Sequence, residues 1–193
     1  ACLGECPNGA LTIIEREAED FDEKAVEDHL KKITLPCGCP STTLQTFIPS
    51  ASTRHAIHHA GERRSTSNLS HWPIQIRLVP PTAPFLKGAD LLVVADCVPV
   101  AYPNLHADFL SGKVVLMGCP KLDDVDYYVE KFTDIFRTAD IKSVTVLIME
   151  VPCCSGLEMI IERALKAAGK EIPFEVVVVG IRGEVLKREK MAA

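Results

Sequence analysis

From residue 90 onward the chain alternates short, almost uniformly apolar runs with longer amphipathic ones. Asp90–Ala95, Lys113–Gly118, Ser143–Met149 and Glu175–Val179 are dominated by Val, Leu and Ile. A strand with one wet face shows strict apolar/polar alternation, so these runs predict central strands of a parallel sheet, buried on both faces. Between them, Val125–Thr138 sets Val125, Tyr128, Val129, Phe132, Ile135 and Phe136 at helical spacing, and Gly156–Ala168 does the same with Leu157, Ile160, Ile161, Ala164 and Leu165. Gly169 is placed to end the second helix as a C-cap. A shorter helix is expected over Asn104–Leu110, and Gly180-Ile181-Arg182-Gly183 reads as a hairpin or turn. Strand–helix alternation of this kind predicts βαβ units and an α/β fold, an open parallel sheet with flanking helices of Rossmann-like type.

Ahead of residue 90 the pattern changes. A cysteine-containing turn is followed by a short predicted strand, Ala10–Glu15, and Asp22–Lys32 predicts a helix with an acidic start and a basic end. Residues 40–70 are rich in Ser, Thr, His and Arg without periodicity and predict a long loop. Pro73, Pro80, Pro81 and Pro84 then mark an extended connection, in which Ile74, Ile76, Leu78 and Val79 offer one more strand. The chain thus divides at the sequence level into residues 1–36, 37–85 and 86–193.

Charge narrows the function. The net charge of -5 is spread over both signs with no basic block to neutralise a run of phosphates, which argues against a nucleic-acid partner. No apolar stretch approaches the roughly 18 residues of a membrane span, and Ala1–Pro7 lacks the basic-then-apolar order of an export signal. A cytoplasmic location is the expectation. No G-x-G-x-x-G, phosphate-binding loop or G-x-S-x-G motif is present.

The eight cysteines change the picture most. In a chain of this length with strong core segments, cysteines serve metals or catalysis more often than disulfides. Cys97 stands two residues after Ala95, Cys119 directly after Gly118, and Cys153-Cys154 follow Met149 across Glu150-Val151-Pro152. In a parallel sheet all carboxyl ends lie on one edge, neighbours about 5 Å apart, and ligands bind there. Thiols from three consecutive strand ends are therefore placed to share a metal, and helix starts next to them supply N–H groups that stabilise thiolate. A single cysteine in such a place is more often a buried structural residue. Three successive strand ends weigh against that explanation. Cys37-Gly38-Cys39-Pro40 is a second pair able to chelate iron or zinc or to act as a redox dithiol, and the vicinal Cys153-Cys154 pair is also able to close as a disulfide. The spacing of Cys2-Leu3-Gly4-Glu5-Cys6-Pro7 matches the end of the bacterial C-x₂-C-x₂-C-x₃-C-P ferredoxin run, with the first two cysteines missing ahead of Ala1. The chain is expected to be a fragment of a longer protein, with Cys2 and Cys6 the remnant of a partial ferredoxin-like segment.

His55, His58 and His59 fall in the polar loop, where solvation is the simpler role. His71, His106, Lys121, Asp123 and Asp124 are the polar residues nearest the predicted crevice. Helix capping before Val125 explains the aspartates equally well.

Ala1–Pro7, His71-Trp72-Pro73-Ile74-Gln75, Ala83–Asp90, Gly118-Cys119-Pro120-Lys121-Leu122-Asp123 and Glu150–Leu157 together resemble uncharacterised proteins of anaerobic bacteria and archaea described as 4Fe-4S ferredoxin iron–sulfur binding domain proteins. The resemblance implies a dicluster ferredoxin domain ahead of this α/β domain, and no assigned reaction. The expectation is a [4Fe-4S] cluster held by Cys97, Cys119, Cys153 and Cys154, with Cys37 and Cys39 as supplements, serving electron transfer with a redox partner protein in anaerobic metabolism. The alternatives are an iron–sulfur enzyme acting on a small molecule at the strand-end crevice, and a zinc-binding interaction module built on Cys37, Cys39 and two strand-end cysteines.

Overall fold

A computed structural model describes residues 43–47 and 67–191. The chain divides into two units, Ala1–Cys37 and Gly38–Ala193, and the second supplies everything below. The expected strand Ala10–Glu15, the helix Asp22–Lys32, His55, His58, His59, and Cys2, Cys6, Cys37 and Cys39 lie outside the described residues.

A two-stranded antiparallel ladder joins β1 (Gln45–Thr46), which falls inside the stretch 40–70 expected as a loop, to β2 (His71–Trp72), which directly follows that stretch. The main sheet contains β3 (Asp90–Ala95), β4 (Val114–Gly118), β5 (Ser143–Met149), β6 (Phe174–Val179) and β7 (Val185–Met191). Its order is β4-β3-β5-β6-β7, and the first four strands are parallel. Every residue from Leu91 to Ala95 and from Val144 to Met149 is buried, as the absence of alternation requires for central strands covered on both faces. The chain starts in the middle of the sheet, grows outward to β4, then returns to the other side of β3 as β5. That reversal is a topological switch point between β3 and β5, where α/β folds open a crevice at the strand carboxyl ends.

α1 (Val98–Ala101) and a π-helical turn at His106–Leu110 connect β3 to β4; the latter falls where the sequence predicts a short helix. α2 (Val125–Thr138) and α3 (Gly156–Ala168) match their predicted bounds and pack against each other. Their buried stripes are Tyr128, Phe132, Ile135 and Phe136, and Leu157, Ile160, Ile161, Ala164 and Leu165. The Asp124 side chain caps α2 by accepting from the N–H groups of Asp126 at 3.0 Å and Tyr127 at 3.1 Å, and Gly169 ends α3 in the left-handed region at φ 64°.

Two departures from the sequence pattern affect the site. The extra strand reduces to a single parallel bridge: Met117 donates to the Ile74 carbonyl at 2.8 Å and Ile76 donates to the Met117 carbonyl at 2.9 Å. Leu78 and Val79 then turn away, both donating to the Gln75 carbonyl. At the other edge, the charged segment Val185–Met191 forms β7, antiparallel to β6.

Candidate functional site at the strand carboxyl edge

Three short turns, one after each of β3, β4 and β5, deliver the four strand-end cysteines. Cys97 is exposed at the start of α1, two residues after β3. Cys119 is half-buried directly after β4, in a turn closed by the N–H groups of Leu122 and Asp123 donating to its carbonyl at 3.2 and 2.9 Å. Cys153 and Cys154 occupy a 3₁₀ turn, Pro152–Ser155, that runs straight into α3, with Cys153 exposed and Cys154 buried. Ser155 turns its hydroxyl back to the Pro152 carbonyl at 2.8 Å, so no side chain caps the first turn of α3.

The turns converge over the end of β3. A Cβ added at Gly156 would lie 2.9 Å from Pro120 Cβ, so the turn after β4 and the start of α3 are in direct contact, and only glycine leaves room for it. The Cys154 thiol feels both Cys153, to which it is hydrogen-bonded, and Cys97 across the switch point. Burial pushes its pKa up, a backbone hydrogen bond at Met149 opposes that, and the two neighbouring thiols push it further up. Cys97, Cys153 and Cys154 therefore form one group. Cys119 joins it through the Pro120–Gly156 contact rather than through an interaction of its sulfur. Among the described residues, no three His, Cys, Asp or Glu side chains converge on a point that a single metal ion would occupy. A cluster takes each thiolate at a separate iron.

A carboxylate pair stands beside the thiols. Asp96 follows β3 directly, takes a hydrogen bond from the Gln75 side chain, and leaves Oδ1 buried without a partner. Burial raises its pKa, the Gln75 bond lowers it, and the Asp123 charge raises it again. Asp123 Oδ2 accepts from the Tyr128 hydroxyl at 2.6 Å and from the Cys119 N–H at 3.2 Å. Tyr128 is itself fully buried, and burial followed by the Asp123 bond drives its pKa far above the usual tyrosine value. Gly118 makes this close fit possible, since a Cβ there would lie 2.8 Å from Tyr128 Cζ and from Ile76 Cδ1. Gln75, Asp96 and Tyr128 escape the sequence reading. The polar residue that directly ends an apolar strand, Asp96, was the one available signal.

The other candidates sit elsewhere. His106 Nδ1 accepts from the Asn68 N–H at 3.2 Å. Asn68 is two residues before Ser70, whose hydroxyl reaches the Lys113 carbonyl just ahead of β4. His106 thus lies toward the amino edge, opposite the thiols, because the π-helical turn is already on its way back to start β4. His71 is fully buried and stacked on Phe85 with ring centroids 4.2 Å apart. Its Nε2 accepts from the Val115 N–H at 3.0 Å, which leaves Nδ1 as the donor to the Pro73 carbonyl at 3.1 Å, so the ring is neutral and structural. Asp124 is a helix cap and Lys121 is exposed. Cavities of about 500 and 300 Å³ open around Glu162, Lys166 and Phe174 and around Lys113, Thr145 and Glu175. Both include residues at the amino ends of the strands, away from the cysteines.

Residues 83–193 match the model of the Rossmann-like domain family, and the chain belongs to that family. An uncharacterised protein of Archaeoglobus fulgidus is 37% identical over 117 residues, 61% of this chain and 82% of its own length. No solved structure matches the chain. Among the described residues no helix is long and apolar enough to cross a membrane.

Proposed function

We propose that the protein is an iron–sulfur electron carrier of the anaerobic cytoplasm, holding a [4Fe-4S] cluster at the switch point of its sheet through Cys97, Cys119, Cys153 and Cys154. The observation that carries this reading is the delivery of four thiols by three adjacent turns to one edge, with Cys97, Cys153 and Cys154 close enough to influence one another. The resemblance to 4Fe-4S ferredoxin-domain proteins supports the same choice; Cys37 and Cys39 would supplement that cluster, and Cys2 and Cys6 are the remnant of a ferredoxin-like segment, all four outside the described residues.

The chain's own groups suit that role. No side chain caps the start of α3, and the Cys153–Cys154 turn adjoins the positive end of that helix. Asp123 and Asp96 place carboxylates beside the thiols, and negative charge next to a cluster lowers its potential. When bound, the cluster would supply reversible one-electron chemistry. The test is electron paramagnetic resonance after anaerobic reconstitution with iron and sulfide and reduction with dithionite. A signal of a reduced cluster in the parent chain, lost in the Cys97→Ser/Cys154→Ser double variant, supports the reading. A silent, colourless parent chain sinks it.

A further inference from the structure

The amino edge of the sheet, opposite the thiols, holds a polar group that the proposed cluster does not use. A cavity of about 300 Å³ opens there, at the starts of β5 and β6 and the end of β7. Thr145 lines it at 3% exposure and is the only polar residue in the run Val144–Met149. The other buried polar side chains among the described residues, His71 and Thr133, are satisfied by backbone groups. Thr145 is met by charged side chains instead: Lys113 Nζ donates to its Oγ1 at 2.7 Å, and its hydroxyl donates to Glu175 Oε1 at 3.3 Å.

The backbone sets Lys113 up for this contact. Directly ahead of β4, its N–H donates to the Leu110 carbonyl at 3.1 Å and its carbonyl accepts from the Ser70 hydroxyl at 3.1 Å. β3 lies between β4 and β5, so the side chain crosses a strand to reach Thr145. Lys113 is half-buried, makes no ion pair among the described residues, and uses one of its three ammonium donors on Thr145. Burial lowers its pKa, Glu175 opposes that, Arg188 adds to it and Asp90 opposes it again. Withdrawing a cation from water without a counter-ion costs stability, so a lysine kept in this state in a cavity points to a ligand that brings the opposite charge.

The charges around the cavity favour an anion. Lys113 and Lys190 line it against Glu175, and Lys190 makes no ion pair among the described residues. Glu175 is already engaged by Thr145 and, at 3.9 Å, by Arg188 Nε, while Asp90 at the start of β3 accepts from the Ser143 hydroxyl at 2.6 Å. Lys113, Arg188 and Lys190 thus outnumber Asp90 and Glu175. The turns leading into the strands add Lys87, Lys142 and Lys170 against Asp140 and Glu171, so the wider edge is positive as well. Phe174 and Met191 give the cavity an apolar wall.

We infer that this cavity binds a small organic carboxylate with an apolar body the size of a single ring: Lys113 and Lys190 receive the carboxylate, and Phe174 and Met191 hold the body. Small-molecule sites run from about 300 to 1,000 Å³, and this one is at the lower end. The inference is independent of the iron–sulfur reading, whose thiols lie at the other edge of the sheet.

The test uses the full chain labelled with ¹³C-methyl methionine and titrated with benzoate. Met191 lines the cavity, Met117 and Met149 lie near the carboxyl ends of β4 and β5, and Met159 is on α3. Methyl NMR should show a saturable shift of the Met191 signal with the other three unmoved. Acetate, which lacks the ring, and benzamide, which lacks the charge, should bind roughly tenfold or more weaker. Lys113→Gln and Lys190→Gln should each weaken benzoate about tenfold, whereas Lys142→Gln, at an exposed lysine outside the cavity, should leave it unchanged. Circular dichroism checks that the variants fold, and Lys190 is exposed, so its replacement leaves the core untouched. No saturable shift of Met191, acetate or benzamide binding within twofold of benzoate, Lys190→Gln within twofold of the parent, or equal weakening by Lys142→Gln would each overturn the inference.

Discussion

Replacing Gly118 by Ala should destabilise the protein by about 2–5 kcal/mol, more than a methyl group on a strand normally costs. The new Cβ would lie 2.8 Å from both Tyr128 Cζ and Ile76 Cδ1, where carbon contacts are comfortable only near 3.5–4.0 Å. Tyr128 and Ile76 are both fully buried, so neither swings into solvent. Overpacking a dense core costs about 1–3 kcal/mol. Displacing Tyr128 also strains its 2.6 Å bond to Asp123, and a hydrogen bond to a charged group contributes about 1.5–3 kcal/mol. At roughly 2–4 °C per kcal/mol for a chain of this size, Tm should fall by about 5–15 °C. Urea unfolding followed by circular dichroism reads the loss directly. In a Tyr128→Ala background the same substitution should cost less than about 1 kcal/mol, because its main obstacle is gone. A loss under about 0.5 kcal/mol in the parent, or equal losses in both backgrounds, would refute the reasoning that the Gly118–Tyr128 contact sets the turn carrying Cys119.

Three further outcomes follow. Asp124→Ala removes the acceptor of two helix N–H groups and should cost about 1 kcal/mol in urea titrations, with Asp124→Ser restoring most of it. His71 has its pKa lowered by burial, against the opposing backbone bond at Pro73, so the unfolded chain takes up a proton below the usual histidine pKa of 6.5 while the folded chain resists. Stability should be complete above that pH and decline as pH falls below it, and His71→Gln should flatten the slope of unfolding free energy between pH 7 and 5. In the reduced, metal-free chain, iodoacetamide should label Cys97 and Cys153 before Cys154, as read by peptide mass spectrometry, because the first two are exposed and the third is buried.

The central sheet was readable because its strands are covered on both faces. Burial of Leu91–Ala95 and Val144–Met149 leaves runs that are apolar throughout except for Thr145, and the stripes of α2 and α3 report the faces they bury. β7 was not readable for the complementary reason. Val185-Leu186-Lys187-Arg188-Glu189-Lys190 is exposed throughout, and the segment is a strand because its backbone pairs with β6; charged side chains on an edge strand discourage pairing with other chains. Asn104–Leu110 looked helical because Leu105, Phe109 and Leu110 are buried, yet the turn is too short to show its winding in its pattern. The thiol edge could be anticipated from strand ends alone, since parallel strands put every carboxyl end on one side. The Gln75–Asp96 bond could not, because it joins segments brought together only by the parallel bridge at Met117. His71 looked like a candidate for chemistry and is instead a core residue, its two nitrogens consumed by backbone groups at Pro73 and Val115.

The claim that the strand-end thiols hold an iron–sulfur cluster is tested most directly by iron and acid-labile sulfide analysis of the anaerobically purified chain in which Cys2, Cys6, Cys37 and Cys39 are replaced by Ser. The account predicts a brown protein with about four irons and four sulfides, falling to near zero when Cys97 and Cys154 are also replaced. Zinc without sulfide, or iron and sulfide that survive loss of Cys97 and Cys154, would contradict it.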